Sequence, residues 1–190
     1  SEPDIILSHD NSARIRKLFE RIGGKDVLHP EKLVVVLDRK MTGTTDELIR
    51  DYNSIHHFME EQKVERFFDC DKGICHQVLT DYLKQGMLVT GSDSHTCTAG
   101  AFNCLVGLNK TETAMLWKTG KMWFRVPETI KITLKNKLRE GVYAKDLALW
   151  VMGLLRDERV AYRALEYHGE GVHTLSIADR MTIANISAEI

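Results

Sequence analysis

The sequence predicts an α/β fold in which a parallel β-sheet lies between two layers of helices. Leu-Val-Val-Val-Leu at 33–37 is a continuous apolar run, which is typical of a strand that is covered on both faces. Segments with helical spacing of apolar residues alternate with such runs along the chain. This β-α-β alternation favours parallel strands with helices on both sides of the sheet.

Boundary signals place the individual elements. A first helix is predicted to begin at the capping triplet 10–12 and to end at the glycine pair 23–24. Thr44 and Glu47 have the spacing of a capping box, which predicts the start of a second helix. The further predicted elements are strands at 64–68, 87–90 and 130–135 and helices at 110–119 and 144–155.

A change of composition near Pro127 predicts a domain boundary. Residues 130–135 alternate apolar and polar side chains, as in a half-exposed strand, whereas the earlier predicted strands are mostly apolar. The chain has 190 residues, of which 43% are hydrophobic, and this length allows one or two domains. We therefore predict two domains, 1–126 and 127–190.

Composition excludes several classes of protein. The formal net charge of −1 and the pI near 6.7 leave no overall basic field for nucleic acid or an anionic membrane. No apolar stretch approaches the roughly 20 residues that span a bilayer, and Ser1–Asp4 is unlike the start of a signal peptide. The four cysteines form no Cys-x-x-Cys pair, which is typical of free thiols in a reducing compartment. We expect a cytoplasmic protein.

The densest group of reactive side chains is the run Gly-Ser-Asp-Ser-His-Thr-Cys-Thr at 91–98. It follows the predicted strand 87–90, so it stands at the carboxyl end of a strand, where open α/β sheets bind ligands. Two interpretations stay open on the residues alone. Asp93–His95 can cap the helix that follows, or the acid, the hydroxyl and the imidazole can line a catalytic cavity.

This run and a second motif indicate a family. Residues 91–96, together with Lys-Met-Trp-Phe-Arg-Val-Pro-Glu-Thr-Ile-Lys at 121–131, resemble the aconitase superfamily. Within it, the similarity is to large subunits of the 3-isopropylmalate dehydratase, 2,3-dimethylmalate dehydratase and homoaconitase type. The resemblance implies a three-layer α/β/α domain of the aconitase iron-sulfur type, followed by part of a second, similar domain. It also implies a hydro-lyase that uses a [4Fe-4S] cluster to remove water from a hydroxy di- or tricarboxylate and to add it back.

The resemblance assigns catalytic roles to five residues of this sequence. His95 is expected to exchange a proton with the leaving or entering hydroxyl group. His76, in the family motif Gly-x-x-His-Gln, is expected to pair with the carboxylate of Asp93. Glu189 is expected to support the water molecule, and Asp38 to help protonate the departing hydroxyl.

Four further residues are expected to bind the substrate. Ser94 is implied to lie near it, and Asn185 is spaced four residues from Glu189, on one helical face. Arg14 stands where aconitase has a glutamine, and its guanidinium could bind a carboxylate through two hydrogen bonds or simply be exposed on a helix. Arg39 replaces a family histidine. Because a guanidinium stays protonated, Arg39 binds a substrate carboxylate or marks a lost role, but it is no general acid.

The four cysteines do not match the family's cluster ligands. In the family, the ligands come from a Cys-Thr-Asn motif and a Cys-x-x-Cys pair in a later segment, and neither motif occurs here. We therefore expect no metal ligands in this chain and cluster cysteines beyond Ile190. The chain is expected to be an N-terminal fragment that lacks a short first piece and is inactive alone. Its base is expected on a small subunit or swivelling domain.

Other assignments stay open at this level. The substrate can be an alkylmalate or a tricarboxylate such as that of homoaconitase, since side chains that differ by methylenes are weakly discriminated. A different class is a non-catalytic RNA-binding or folding module, which the lack of a basic stripe disfavours. His9 and the other unmatched histidines are expected at the surface or at helix ends.

Overall fold

The computed structural model describes residues 1–38, 45–108, 110–156 and 160–189. The chain divides into two compact units, Ser1–Trp123 and Phe124–Ile190. The predicted boundary between 126 and 127, and the assignment of the two parts to family domains, stay predictions. None of the described helices is long and apolar enough to cross a membrane.

A five-stranded parallel sheet forms the centre of the first unit. Its strands are Ile5–Ser8 (β1), Leu33–Val36 (β2), Phe67–Phe68 (β3), Leu88–Gly91 (β4) and Leu105–Leu108 (β5). They lie in the order β3-β2-β1-β4-β5, and each neighbouring pair is parallel. The predicted parallel sheet is therefore confirmed, with β1 at its centre between β2 and β4.

Helices cover both faces of this sheet. The α-helices of the unit are Ser12–Arg21 (α1), Asp46–Glu61 (α2), Cys75–Val78 (α3) and Lys110–Thr119 (α4). Short 3-10 helices occupy Pro30–Lys32, Leu79–Tyr82 and Ser94–Phe102. Strand residues alternate between two cores: Ile6 packs with side chains of α1, α2 and α4, whereas Leu7 packs with α3 and the last two 3-10 helices. The sheet is buried on both faces, as the continuous apolar run predicted.

Several element boundaries differ from the prediction. The N-cap of α2 is Thr45, whose Oγ1 accepts the N–H of Leu48 at 3.4 Å, whereas Thr44 lies outside the described residues. The predicted strand 64–68 is reduced to β3, because the N–H of Val64 donates to Met59 and closes the end of α2. β1, the central strand, is absent from the predicted elements.

The second unit has a two-stranded parallel sheet of its own. Its elements are β6 (Glu128–Thr133), α5 (Ala144–Leu155), β7 (Arg163–His168), α6 (Glu170–His173), α7 (Ile177–Ile186) and a 3-10 turn at Ser187–Glu189. Ala148 and Ile183 pack together in a small core between α5 and α7. Alternate residues of β6 are half-buried and exposed, as predicted for this strand.

Candidate active site

The strand order places a crevice at the centre of the first sheet. From β1 the chain proceeds to β2 and β3 on one side, and β4 and β5 lie on the other side. The carboxyl ends of β1 and β4 therefore flank the point where the strand order reverses, which is where open α/β sheets bind ligands. His9 follows β1 directly, and Ser92 and Asp93 follow β4.

Hydrogen bonds hold the two strand ends together. The Ser92 hydroxyl donates to Asn11 Oδ1 at 2.8 Å, and the Asn11 side-chain amide donates to the Ser92 carbonyl at 3.3 Å. Asn11 is the N-cap position of α1, but its side chain makes no bond to that helix. Its amide instead joins the start of α1 to the loop after β4.

Asp93 begins the 3-10 helix Ser94–Phe102. Its Oδ1 accepts the backbone N–H of His95 at 2.8 Å, so the capping interpretation of this triplet is correct. Thr96 Oγ1 also donates to the Asp93 carbonyl at 2.7 Å. The carboxylate is therefore fixed at the base of the loop, with the rest of its surface facing the crevice.

Three imidazoles surround that carboxylate. His76 Nε2 lies 3.2 Å from Asp93 Oδ1, and His95 Nδ1 lies 3.4 Å from the same oxygen. His9 Nε2 approaches the other oxygen, Oδ2, at 3.5 Å. The cap and the histidine contacts coexist, so the two interpretations left open by the sequence are not exclusive.

The surroundings of Asp93 favour its charged form. Burial by itself would raise the pKa of this carboxyl group. The hydrogen bond from the His95 backbone and the charges of His9, His76 and His95 outweigh burial, and the pKa is lowered. Asp93 is therefore an anion near pH 7, with three imidazoles against it.

Opposing influences act on the pKa of His76. Burial is the largest and lowers its pKa, because the charged imidazolium is poorly solvated. Asp93 and Asp38 raise the pKa through their negative charges, whereas His95 lowers it. The net pKa of His76 is lowered, so its imidazole is predominantly neutral near pH 7.

Accessibility separates the three histidines. The side chains of His9 and His76 are 11% and 14% exposed, whereas that of His95 is 35% exposed. His95 turns Nδ1 toward Asp93 and toward Ser94 Oγ, which is 3.4 Å away, and Ser94 is itself exposed. Of these imidazoles, His95 is best placed to meet a small molecule that enters the crevice.

Asp38 contacts the helix that carries His76. It follows β2, and its Oδ2 accepts the backbone N–H of Cys75, the first residue of α3, at 2.9 Å. Burial and Asp38 together raise the pKa of the buried Cys75 thiol, which stays protonated. The predicted role of Asp38 in protonating a hydroxyl is untested, and the contact seen is a helix cap.

Arg14 is the remaining predicted site residue that the structure describes in the first unit. Arg14 is exposed in the first turn of α1, and Arg39 lies outside the described residues. Asn185 and Glu189 belong to the second unit. Asn185 lies at the end of α7, and Glu189 lies in the tighter 3-10 turn that follows it directly; their part in the site stays a prediction.

Comparison with protein families identifies this architecture. The model of the aconitase family (aconitate hydratase) matches residues 9–190. The chain belongs to the aconitase family. Residues 9–190 include every predicted site residue, and the match begins at His9, the first residue after β1.

Individual relatives in the aconitase family narrow the similarity. The chain is 39% identical to 3-isopropylmalate dehydratase large subunit 1 of Methanopyrus kandleri over 191 residues, which cover 98% of this chain and 46% of the relative. It is 37% identical to the Thermotoga maritima protein of the same name, covering 98% and 45%. It is 33% identical to the probable methanogen homoaconitase large subunit of Methanosarcina mazei, covering 100% and 50%. The chain spans about half the length of these curated relatives.

The cysteines of this aconitase-family chain do not form a cluster site among the described residues. Cys70 is exposed, Cys75 is buried under Asp38, and Cys104 Sγ donates to the Lys84 carbonyl at 3.4 Å beside the amino end of β5. Since a [4Fe-4S] cluster needs converging thiolates, these residues do not fit one. Its ligands are still predicted beyond Ile190.

One group of described residues brings three possible metal-ligand atoms together. His9, Asp10 and Asp38 each offer an atom within 4.8 Å of the other two. The carboxylate of Asp38 already accepts the Cys75 N–H, and closely spaced acidic groups at a strand edge are common without an ion. We assign no metal to this group.

His9 is the member of the group around Asp93 to which the sequence analysis assigns no role. It was expected at the surface or at a helix end; it does precede α1, but it is buried and faces Asp93. Its position was assigned no role because β1, four residues long, was not predicted. The available signal was the apolar run Ile5–Leu7 directly before a polar group, which is the same pattern that singled out 91–98.

Proposed function

We propose that the protein containing this chain is a hydro-lyase that removes water from, and adds it back to, a malate-type 2-hydroxy acid such as 3-isopropylmalate or 2,3-dimethylmalate. The observation that carries the proposal is the group His76–Asp93–His95 at the carboxyl ends of the central strands. The 39% identity to 3-isopropylmalate dehydratase large subunits supports the substrate class.

Dehydration of such an acid needs a proton donor for the departing hydroxyl group. The C–H electron pair becomes the new C=C bond, and the C–O pair leaves with the hydroxide, which must take up a proton to become water. His95 is suited to supply that proton, because it is the most exposed of the three imidazoles and its Nδ1 lies 3.4 Å from Asp93 Oδ1. In the hydration direction, His95 takes the proton back.

His76 and Asp93 are proposed to assist this proton transfer by His95. The half-buried pair, whose His76 Nε2 and Asp93 Oδ1 are 3.2 Å apart, is proposed to hold the carboxylate against His95 and to fix which nitrogen of His76 carries a proton. Ser94, exposed beside His95, is proposed to hydrogen-bond the substrate. Arg14 and Arg39 are proposed to bind its carboxylates, and Asn185 and Glu189 to complete the site.

The remaining parts of the reaction lie outside this chain. We propose that a base on a small subunit removes the carbon-bound proton, in keeping with relatives that are named large subunits. We also propose that the full protein uses a [4Fe-4S] cluster held by cysteines beyond Ile190. The 190-residue chain alone is therefore expected to be inactive.

A homoaconitase is the second candidate. Homoaconitase large subunits are 33% and 34% identical to this chain over nearly its whole length. Their substrates carry a third carboxylate, which an additional arginine can bind. Arg14 and Arg39 would then contact different carboxylates.

The test is a dehydration assay with a substrate panel. The full-length protein is reconstituted anaerobically with iron and sulfide, mixed with its small subunit, and offered alkylmalates and homocitrate-type tricarboxylates. We expect turnover of an alkylmalate; turnover of a tricarboxylate alone would select the second candidate. A cluster-loaded complex that dehydrates none of these acids would contradict the proposal.

A further inference from the structure

We propose that His9 is a positioning residue that holds the Asp93 carboxylate through Oδ2, so that Oδ1 stays directed at His76 and His95. His9 Nε2 lies 3.5 Å from Oδ2, and both other imidazoles contact Oδ1. The proposal rests on the proposed function only in giving Asp93 a part in catalysis. The arrangement itself can be tested without turnover.

His9 is itself firmly placed. The backbone N–H of Ser12 donates to the His9 carbonyl at 2.8 Å, and the Ser12 hydroxyl donates to the same oxygen. Ser12 is fully buried at the first turn of α1, and Ser8, the residue before His9, is buried at the end of β1. A backbone fixed on both sides limits the imidazole to the crevice.

The burial of the His9 imidazole favours its contact with Asp93. His9 Nε2 is inaccessible to solvent and has no hydrogen-bond partner within the described ranges. A buried N–H without a hydrogen-bond acceptor destabilises the fold, and the Asp93 carboxylate oxygen at 3.5 Å can accept this bond after a small movement. The contact is therefore expected to shorten rather than to open.

The terminal torsion of an aspartate side chain, χ2, has a broad range of favourable values. A carboxylate that is contacted through only one of its oxygens can therefore rotate about this torsion. The charged groups that face Asp93 come from three elements: His9 from the end of β1, His76 from α3, and His95 from its own 3-10 helix. His9 alone contacts Oδ2 among these. The Asp10 and Asp38 carboxylates lie beside His9.

The charge of His9 is also one of the causes that lower the pKa of Asp93. Removal of His9 should therefore raise that pKa. Glutamine keeps an N–H donor without the charge, whereas leucine removes both, so His9→Gln should have the smaller effect and His9→Leu the larger. His57→Gln is a matched control, because His57 pairs with Glu61 at 3.0 Å on the exposed surface of α2.

The experiment is a pH titration of the Asp93 carboxyl carbon by NMR in the chain and its variants. We expect the pKa of Asp93 to rise from wild type to His9→Gln to His9→Leu, and to be unchanged in His57→Gln. An Asp93 transition at the same pH in all four proteins would overturn the proposal. Amide spectra away from the crevice report whether each variant keeps its fold.

A second measurement uses the full-length protein with its small subunit. Because His9 orients Asp93 and is not proposed to touch the substrate, His9→Gln should lower kcat about tenfold and leave KM within about twofold. If acid unfolds the chain before Asp93 titrates, the kcat measurement decides by itself: an unchanged kcat in His9→Gln would overturn the proposal. A raised Asp93 pKa in an assembly without dehydratase turnover would instead contradict the proposed function and leave the positioning role intact.

Discussion

Asp38 accepts the backbone N–H of Cys75 at 2.9 Å, so the carboxylate at the end of β2 caps the helix that carries His76. The N-cap residue of that helix, Ile74, has no side chain able to do this. A carboxylate at a helix N-terminus both accepts an otherwise unpaired N–H and interacts favourably with the helix dipole. The family aspartate thus has a structural contact in addition to any part in catalysis.

Loss of this cap should destabilise α3. Asp38→Ala is expected to lower the free energy of unfolding by about 1 kcal/mol, whereas Asp38→Asn keeps an acceptor oxygen and should cost less. Urea denaturation of both variants measures the difference, and hydrogen exchange of the Cys75 amide localises it. Equal stability of Asp38→Ala and wild type, with the Cys75 amide still protected, would show that the cap contributes nothing.

His95 is proposed as the proton carrier. His95→Ala in the complete, cluster-loaded assembly should lower turnover by about 10²- to 10⁴-fold, the usual contribution of a general acid or base. His57→Ala, on the exposed surface of α2, should retain wild-type turnover. A loss of less than tenfold in His95→Ala would remove this residue from the proposed mechanism.

Gly91 must be small for the loop after β4 to close. A Cβ at this position would overlap the side chain of Thr96, whose hydroxyl donates to the Asp93 carbonyl at 2.7 Å. Gly91→Ala is expected to lower the free energy of unfolding by about 1–3 kcal/mol, as overpacked cores do. Gly100→Ala is the control, since a Cβ at Gly100 meets no atom within 4 Å. Similar melting temperatures for the two variants would contradict this account of the loop.

A hydrogen bond at the edge of the sheet predicts a pH dependence of stability. The Tyr52 hydroxyl donates to Asp69 Oδ2 just after β3. Burial would raise the pKa of Asp69, but the bonds from Tyr52 and Cys70 and the charge of His56 lower it below its usual 3.8. The hydrogen bond to Asp69 and burial raise the pKa of Tyr52 to about 12.

The signs of these two shifts differ. The lowered pKa of Asp69 gives stability that is present above pH 3.8 and is lost as the pH falls through the pKa of the folded state. The raised pKa of Tyr52 gives stability that is lost as the pH rises from 10 toward 12. Tyr52→Phe should therefore lower stability by about 1 kcal/mol at pH 7 and flatten both limbs of a stability–pH curve from urea melts. Tyr82→Phe is the control and should change neither limb, because the Tyr82 hydroxyl has no hydrogen-bond partner in the described part of the chain. Parallel curves for wild type and Tyr52→Phe would contradict the assignment.

Local signals predicted the bounds of two helices, α4 and α5, well. The bounds of α4 and α5 agree with the prediction, because their apolar spacing and end signals lie within the segments themselves. Gly120, which ends α4, has a φ of +64°, a conformation that glycine adopts without strain. The prediction failed for β1, since a four-residue segment with three apolar side chains becomes a central strand only through pairing with β2 and β4, far away in sequence.

The predictions for the site show the same contrast between local signals and long-range pairing. The crevice beside 91–98 could be predicted from one strand and the polar run after it, because the carboxyl-end rule is local. The His76–Asp93 pair came from the family resemblance and not from any pattern in the chain, and its 3.2 Å geometry is now described. His9 could not be found while β1 was missing, because its burial depends on which strands lie beside it.

Asp93 is the anion shared by three imidazoles, and its charge is predicted to raise the proton affinity of His76. The most direct measurement is the pH titration of the His76 imidazole by NMR in wild type and in Asp93→Asn. Because the charge of Asp93 raises the pKa of His76 against burial, the variant should titrate at lower pH than wild type. A His76 titration that is unchanged, or moved to higher pH, would contradict the claim.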